Sequence, residues 1–91
     1  MNLRKIKLAL TIGLVNDPTT NPVVTIKNAM RDFTDQVGKF LGFVVTGEAV
    51  IDENRFSKSY AVQFENCQLQ VQLVTNKLNK IQAVRDFKVS Q

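Results

Sequence analysis

The side chains that could do chemistry are few, and their spacing gives them little to work with. Eight acids, Asp17, Asp32, Asp35, Glu48, Asp52, Glu53, Glu65 and Asp86, are spread along the chain. Asp32 and Asp35 are three apart, which puts both on one face of a helix, and Asp52 and Glu53 are neighbours in a turn. Neither pair has the ligand spacing of a calcium loop. A pair of carboxylates for glycoside hydrolysis needs a cleft between them, and a short chain has little room for one. These acids are expected to be solvated surface groups.

Nucleophiles fare no better. Cys67 is the only cysteine and there is no histidine. The most usual general base and metal ligand is therefore missing, and the thiol has no imidazole to activate it. One cysteine can neither close a disulfide within the chain nor build a zinc site alone. Its place beside Leu69 and Val71 in an alternating run predicts a buried, inert thiol. Ser57 and Ser59 flank Lys58, but on a strand adjacent side chains point to opposite faces, which rules out a Ser-Lys pair there. The four glycines, at 13, 38, 42 and 47, are isolated and form no phosphate-cradling loop. The expectation is a protein with no catalytic, cofactor or metal site.

The elements that would carry these residues can be read from hydrophobic periodicity. With 91 residues, 44% hydrophobic and 22% charged, the chain is expected to form a single domain over 1–91. Ile6, Leu8, Leu10, Ile12 and Leu14 alternate with other residues, which predicts a half-buried first strand. Residues 16–22 are dense in Asn, Pro and Thr and read as a loop. Asn21 then suits a helix N-cap and Pro22 the first helical position.

A helix is expected from Pro22 to about Lys39. Its apolar stripe is Val23, Ile26, Met30, Phe33, Val37 and Phe40, with Asp35 and Lys39 as an outer pair four apart. Gly38 or Gly42 would end it. Strands follow at 43–51, at 56–64 with Tyr60, Val62 and Phe64 on one face, and from Cys67 through Leu69, Val71 and Leu73. The apolar parity shifts across Glu65-Asn66, which a two-residue hairpin turn explains and a bulge in one long strand would also explain. After a turn at 76–80, Ile81, Ala83, Phe87 and Val89 suggest a last strand, with Arg85 breaking the parity and a short helix over 77–86 as the competitor.

The predicted fold is therefore a two-layer α+β domain, one amphipathic helix on a four- to five-stranded antiparallel sheet, in the order β-α-β-β-β(-β). That order resembles the cystatin-like folds. The Gln-x-Val-x-Gly hairpin of cystatins is absent, since the corresponding turn reads Ile51-Asp52-Glu53-Asn54-Arg55-Phe56, so the resemblance implies no activity.

Charge points to a partner. The formal net charge is +4, and it belongs to the two ends. Arg4, Lys5 and Lys7 stand near the N-terminus, and Lys77, Lys80, Arg85 and Lys88 near the C-terminus, while the middle is slightly acidic. Lysines on terminal strands discourage edge-to-edge pairing, but a single stripe of them would suit the phosphates of a nucleic acid. On the sheet's wet face, Gln63, Gln68, Gln70, Gln72 and Gln82 should project, without the aromatic side chains on which bases stack. By parity Val44, Val50, Val74 and Val84 should also point outward, and if clustered they would mark a contact surface.

The sequence reading is thus a non-enzymatic binding module acting through protein–protein interaction, expected as a homodimer, of the kind small phage or mobile-element proteins use as inhibitors or accessory factors. Its interface residues would be Val44, Val50, Gln68, Gln70, Gln72, Val74 and Val84. The alternative is a nucleic-acid binder using Arg4, Lys5, Lys7, Lys77, Lys80, Arg85 and Lys88. Met1–Val15 is basic then apolar, like the start of a signal peptide, but lacks a small-x-small cleavage site. No stretch is long enough to span a membrane, so a cytoplasmic protein without a membrane partner is expected.

Overall fold

The computed structural model describes residues 2–16, 21–78 and 80–91. Its elements run helix, helix, then four strands: α1 (Leu3–Val15), α2 (Pro22–Met30), a 3-10 turn (Arg31–Phe33), α3 (Thr34–Val37), β1 (Phe40–Val50), β2 (Arg55–Phe64), β3 (Gln68–Asn76) and β4 (Ile81–Ser90). The strands form one antiparallel meander in the order β1-β2-β3-β4. The α+β class and the antiparallel sheet are as expected, but two helices cover the sheet instead of one.

The N-terminal segment corrects the sequence reading. Residues 6–14 form most of α1 and no strand. Apolar residues at every even position satisfy a period of two, but every second one of them also lies four residues from the next. Ile6, Leu10 and Leu14 take that spacing and are fully buried, while the intervening Leu8 and Ile12 are more than half exposed. Leu, Arg, Lys and Ala are strong helix formers, and a helix satisfies its own backbone where a strand would need a neighbour. Asn2 caps it, its side chain accepting from the Lys5 N–H at 3.1 Å, and the Asn2 N–H donates to Gln36 Oε1 at 2.8 Å. With a helix in first place, the strand-first order that resembled cystatin-like folds is gone.

The second helix is as expected. Asn21 caps it, accepting from the Val24 N–H at 3.4 Å, and Pro22 opens its first turn. Val23, Ile26, Met30 and Val37 are buried, and Phe33 and Phe40 pack beside them. The helix tightens to 3-10 geometry at 31–33 and stops at Gly38, whose φ of 80° and ψ of −163° suit glycine alone. Lys39 therefore lies beyond the helix, and Asp35 and Lys39 form no ion pair. The loop expected at 16–22 falls partly, at 17–20, outside the described residues, as does Asn79 in the β3–β4 turn.

The β2–β3 hairpin turns at Glu65-Asn66, with the Phe64 N–H donating to the Cys67 carbonyl at 2.9 Å. It is tied to the end of α3. The Asn66 N–H donates to the Val37 carbonyl at 3.0 Å, and the Lys39 N–H donates to Glu65 Oε1 at 2.7 Å. Tyr60, Val62 and Phe64 of β2 and Leu69, Val71 and Leu73 of β3 face the helices and form the core with Cys67.

Residues 81–90 form a strand, so the competing helix over 77–86 is not found. In its pairing with β3, two residues of β4 have no partner: Gln82, between Ile81↔Thr75 and Ala83↔Val74, and Arg85, between Val84↔Leu73 and Asp86↔Gln72. Each such bulge inserts one residue and flips the parity that follows. This is why Arg85 interrupts the apolar pattern. It also turns Val84 inward, where it packs on the core with Phe87 and Val89, which corrects its expected outward position.

Candidate interaction surfaces

Directly opposed residues of an antiparallel pair share a face of the sheet, so the β1–β2 register sorts β1 by side. Phe40, Phe43, Val45, Glu48 and Val50 lie opposite Phe64, Val62, Tyr60, Lys58 and Phe56, on the helix side. Val44, Gly47 and Ala49 lie opposite Ala61, Ser59 and Ser57, on the helix-free side. Leu41 and Thr46 are bulge residues without a partner in β2. α1 packs against α2 and β4, so the helical layer leaves most of β1 bare on both faces. Val50 is 72% exposed, Leu41 63%, Val44 59% and Phe43 48%. Glu48 is the only charged residue within β1.

Contacts at its two ends are specific. At the start, the Phe40 ring meets Phe64 edge-on at 5.9 Å, and Lys27 Nζ stands 4.8 Å from the Phe40 centroid. Nearby is a groove of about 330 Å³ whose charged lining residues, Lys27, Arg31 and Lys39, are all cations. Toward the far end, Glu48 pairs with Lys58 at 3.4 Å. The charge interaction with Tyr60, and then Glu48, holds the Lys58 pKa above the usual lysine value. Tyr60 also touches Phe43, with ring centroids 6.2 Å apart.

The four valines expected to point outward do not form one patch. Val44 and Val50 are exposed on opposite sides of β1, Val74 is buried on the helix-free side, and Val84 is turned into the core flank. Exposed apolar surface gathers instead at Leu41, Phe43, Val44 and Val45. Parity could not reveal this, because it assigns a face without saying whether anything covers it.

Four of the five glutamines, Gln63, Gln68, Gln70 and Gln72, share the helix-free face, while Gln82 is a bulge residue that the register does not assign. Gln68 Nε2 donates to Gln63 Oε1 at 3.5 Å and Gln70 Nε2 to Gln68 Oε1 at 3.2 Å, a ladder that runs across the β2–β3 end. Gln72 stands in the same row. Ser57 and Ser59 face this side while Lys58 faces the other, so no Ser-Lys pair forms.

The register does not put the basic residues on one face. α1, which carries Arg4, Lys5 and Lys7, packs on β4, but Lys88 lies opposite Gln70 on the helix-free side and Arg85 is a bulge residue. Lys77 and Lys80 lie in the turn that joins β3 to β4. All seven are exposed, and among the described residues none is in an ion pair. Asp86 is the acid interleaved with them; its carboxylate accepts from the Phe87 N–H at 2.9 Å.

Cys67 is buried, and burial pushes its thiol pKa up, away from nucleophilic thiolate. Among the described residues no group of three or more potential ligands could hold a metal ion, and no helix is long and apolar enough to cross a membrane. Compared with known proteins, the chain matches no family model, no curated protein and no solved structure.

Proposed function

We propose that this chain works by binding and not by catalysis, as a self-associating protein-interaction module whose contact surface is β1. The observation that carries this reading is an eleven-residue edge strand with apolar side chains bare on both faces. An open edge presents unpaired N–H and C=O groups, which a second strand satisfies. Burying a Val, Leu or Phe side chain fully contributes on the order of 1.5–3 kcal/mol, so a strand added here gains from both backbone and side chains. Sedimentation of the purified chain over a concentration series tests this. A dimer that dissociates on dilution is expected, and a monomer throughout the series overturns the reading.

A second reading has its own observation, the packing of α1, with its exposed Arg4, Lys5 and Lys7, against β4, whose rim carries Arg85 and Lys88. A polyanion lying along it would be held by phosphate contacts, without base stacking. Single-stranded nucleic acid binding over a salt series is the test. Affinity should fall steeply with salt, by a log–log slope of roughly 0.7 per phosphate contacted. Replacing Arg4, Lys5 and Lys7 with Gln should lower that slope by about 2. Binding that ignores salt refutes it.

A further inference from the structure

We infer that two copies of this chain pair their β1 strands antiparallel about a two-fold axis at Val44, joining two four-stranded sheets into one of eight strands. This rests on the self-association reading above and adds the register.

Three features select that axis. The first is sidedness, since opposed residues must share a face. An axis at Val44 sets Phe43 opposite the second copy's Val45, both on the helix side, and Phe40 opposite Glu48, also both on the helix side. Val44 meets itself on the helix-free side. An axis at Val45 would set Phe43 against Gly47 and Gly42 against Glu48, which face opposite ways. An axis between Phe43 and Val44, or between Val44 and Val45, fails for the same reason. An axis on either side of Thr46 keeps the sides but sets Glu48 opposite Phe43 or Val45, away from Phe40 and the Lys27 above it. An axis at Phe43 keeps the sides but ends the pairing at Thr46 and leaves Glu48 outside it.

The second feature is room at the bulges. Leu41 and Thr46 are the two residues that have no partner in β2. In the Val44 register Leu41 lies opposite Gly47 and Thr46 opposite Gly42. Each bulge therefore meets a residue with no side chain.

The third is charge. Opposite Phe40 the register brings Glu48 of the second copy, and over Phe40 stands Lys27, beside a groove whose charged lining residues are all cations. Glu48 would then lie between Lys58 of its own chain and Lys27 of the other. The two helical layers end on the same side of the joined sheet. Phe43 and Val45 of both copies fill the strip between them.

Single-cysteine cross-linking tests the register, with Cys67 left in place because it is buried. At the axis, opposed Cα atoms should lie about 4.5–5.5 Å apart, within disulfide reach. Val50 lies six positions from the axis in each copy, so the two Val50 sites should be about 40 Å apart at the usual strand rise. Val44→Cys is expected to give a covalent dimer on mild oxidation, and with a short bismaleimide, while Val50→Cys and the unsubstituted chain give none. Lys27→Glu and Glu48→Lys should each weaken the dimer several-fold, and the two together should restore it. A sedimenting dimer in which Val50→Cys cross-links and Val44→Cys does not overturns the register but leaves self-association standing. A monomeric unsubstituted chain overturns both.

Discussion

The two edges of this sheet are built differently although both are bulged twice. At β4 the bulges fall at Gln82 and Arg85, α1 lies alongside, and Arg85, Asp86 and Lys88 put charge on the rim. At β1 the bulges fall at Leu41 and Thr46, the helices leave most of the strand uncovered, and Glu48 is the one charge. Bulges twist an edge, but they do not by themselves stop another strand from docking. What separates the two edges is cover and charge. β4 is protected by both, and β1 by neither over residues 41–47.

The largest expected effect comes from giving β1 the protection that β4 has. Val44→Lys places two like charges against each other at the two-fold axis. It should abolish the dimer in sedimentation while leaving the thermal unfolding of the monomer almost unchanged, because Val44 is 59% exposed. A dimer of undiminished affinity would break the comparison. The reverse experiment strips the other edge. Arg85→Val with Lys88→Val should turn a dimer into larger species visible by light scattering, since each subunit then has two adhesive edges. If the species stay dimeric, α1 alone shields β4.

A smaller effect is expected at the joint that sets β1 in place. A Cβ on Gly38 would sit 2.7 Å from Glu65 Cβ, at a backbone conformation that only glycine adopts freely. Gly38→Ala should cost about 1–3 kcal/mol in denaturant unfolding. It should also loosen the start of β1, read as faster amide exchange there than in β4.

The smallest effect concerns the β1–β2 turn. The Arg55 side chain bonds Asp52 at 2.7 Å, and together with the Asn54 N–H it holds the Asp52 carboxyl below its usual 3.8. The folded state then binds its proton less readily than the unfolded chain. This contribution to stability is present above the unfolded value and is lost as pH falls through the folded one. Asp52 is exposed, so the effect on overall stability should be slight. The Asn54 amide resonance should titrate with a midpoint below 3.8, and a midpoint at or above it would contradict the turn geometry.

Much of the fold was legible because local chemistry and tertiary packing agree. Asn21-Pro22 opens α2 and Gly38 closes the helical run, as their side chains dictate. Glu65-Asn66 turns the β2–β3 hairpin, and its inward residues are those the alternation picks out. The failures have one cause. In 6–14 the even positions fit either period, and the choice fell to what each form could pack against. Val84 was misplaced because a bulge cannot be seen until the neighbouring strand shows which residue lacks a partner. Similarly, nothing in residues 40–50 announces an edge, since a valine-rich run reads alike in the centre of a sheet and at its rim.

The sequence alone determined which segments are helix or strand from residue 21 to about 76, where they turn, and that no histidine or second cysteine is available for chemistry; between strand and helix in the last segment it left the choice open. Those are properties of single residues and their near neighbours along the chain. The tertiary structure decided that residues 3–15 are a helix, that α1 packs on β4, and that β1 is left open. Cover and edge position depend on which elements meet across the molecule, and spacing along the chain does not contain that information.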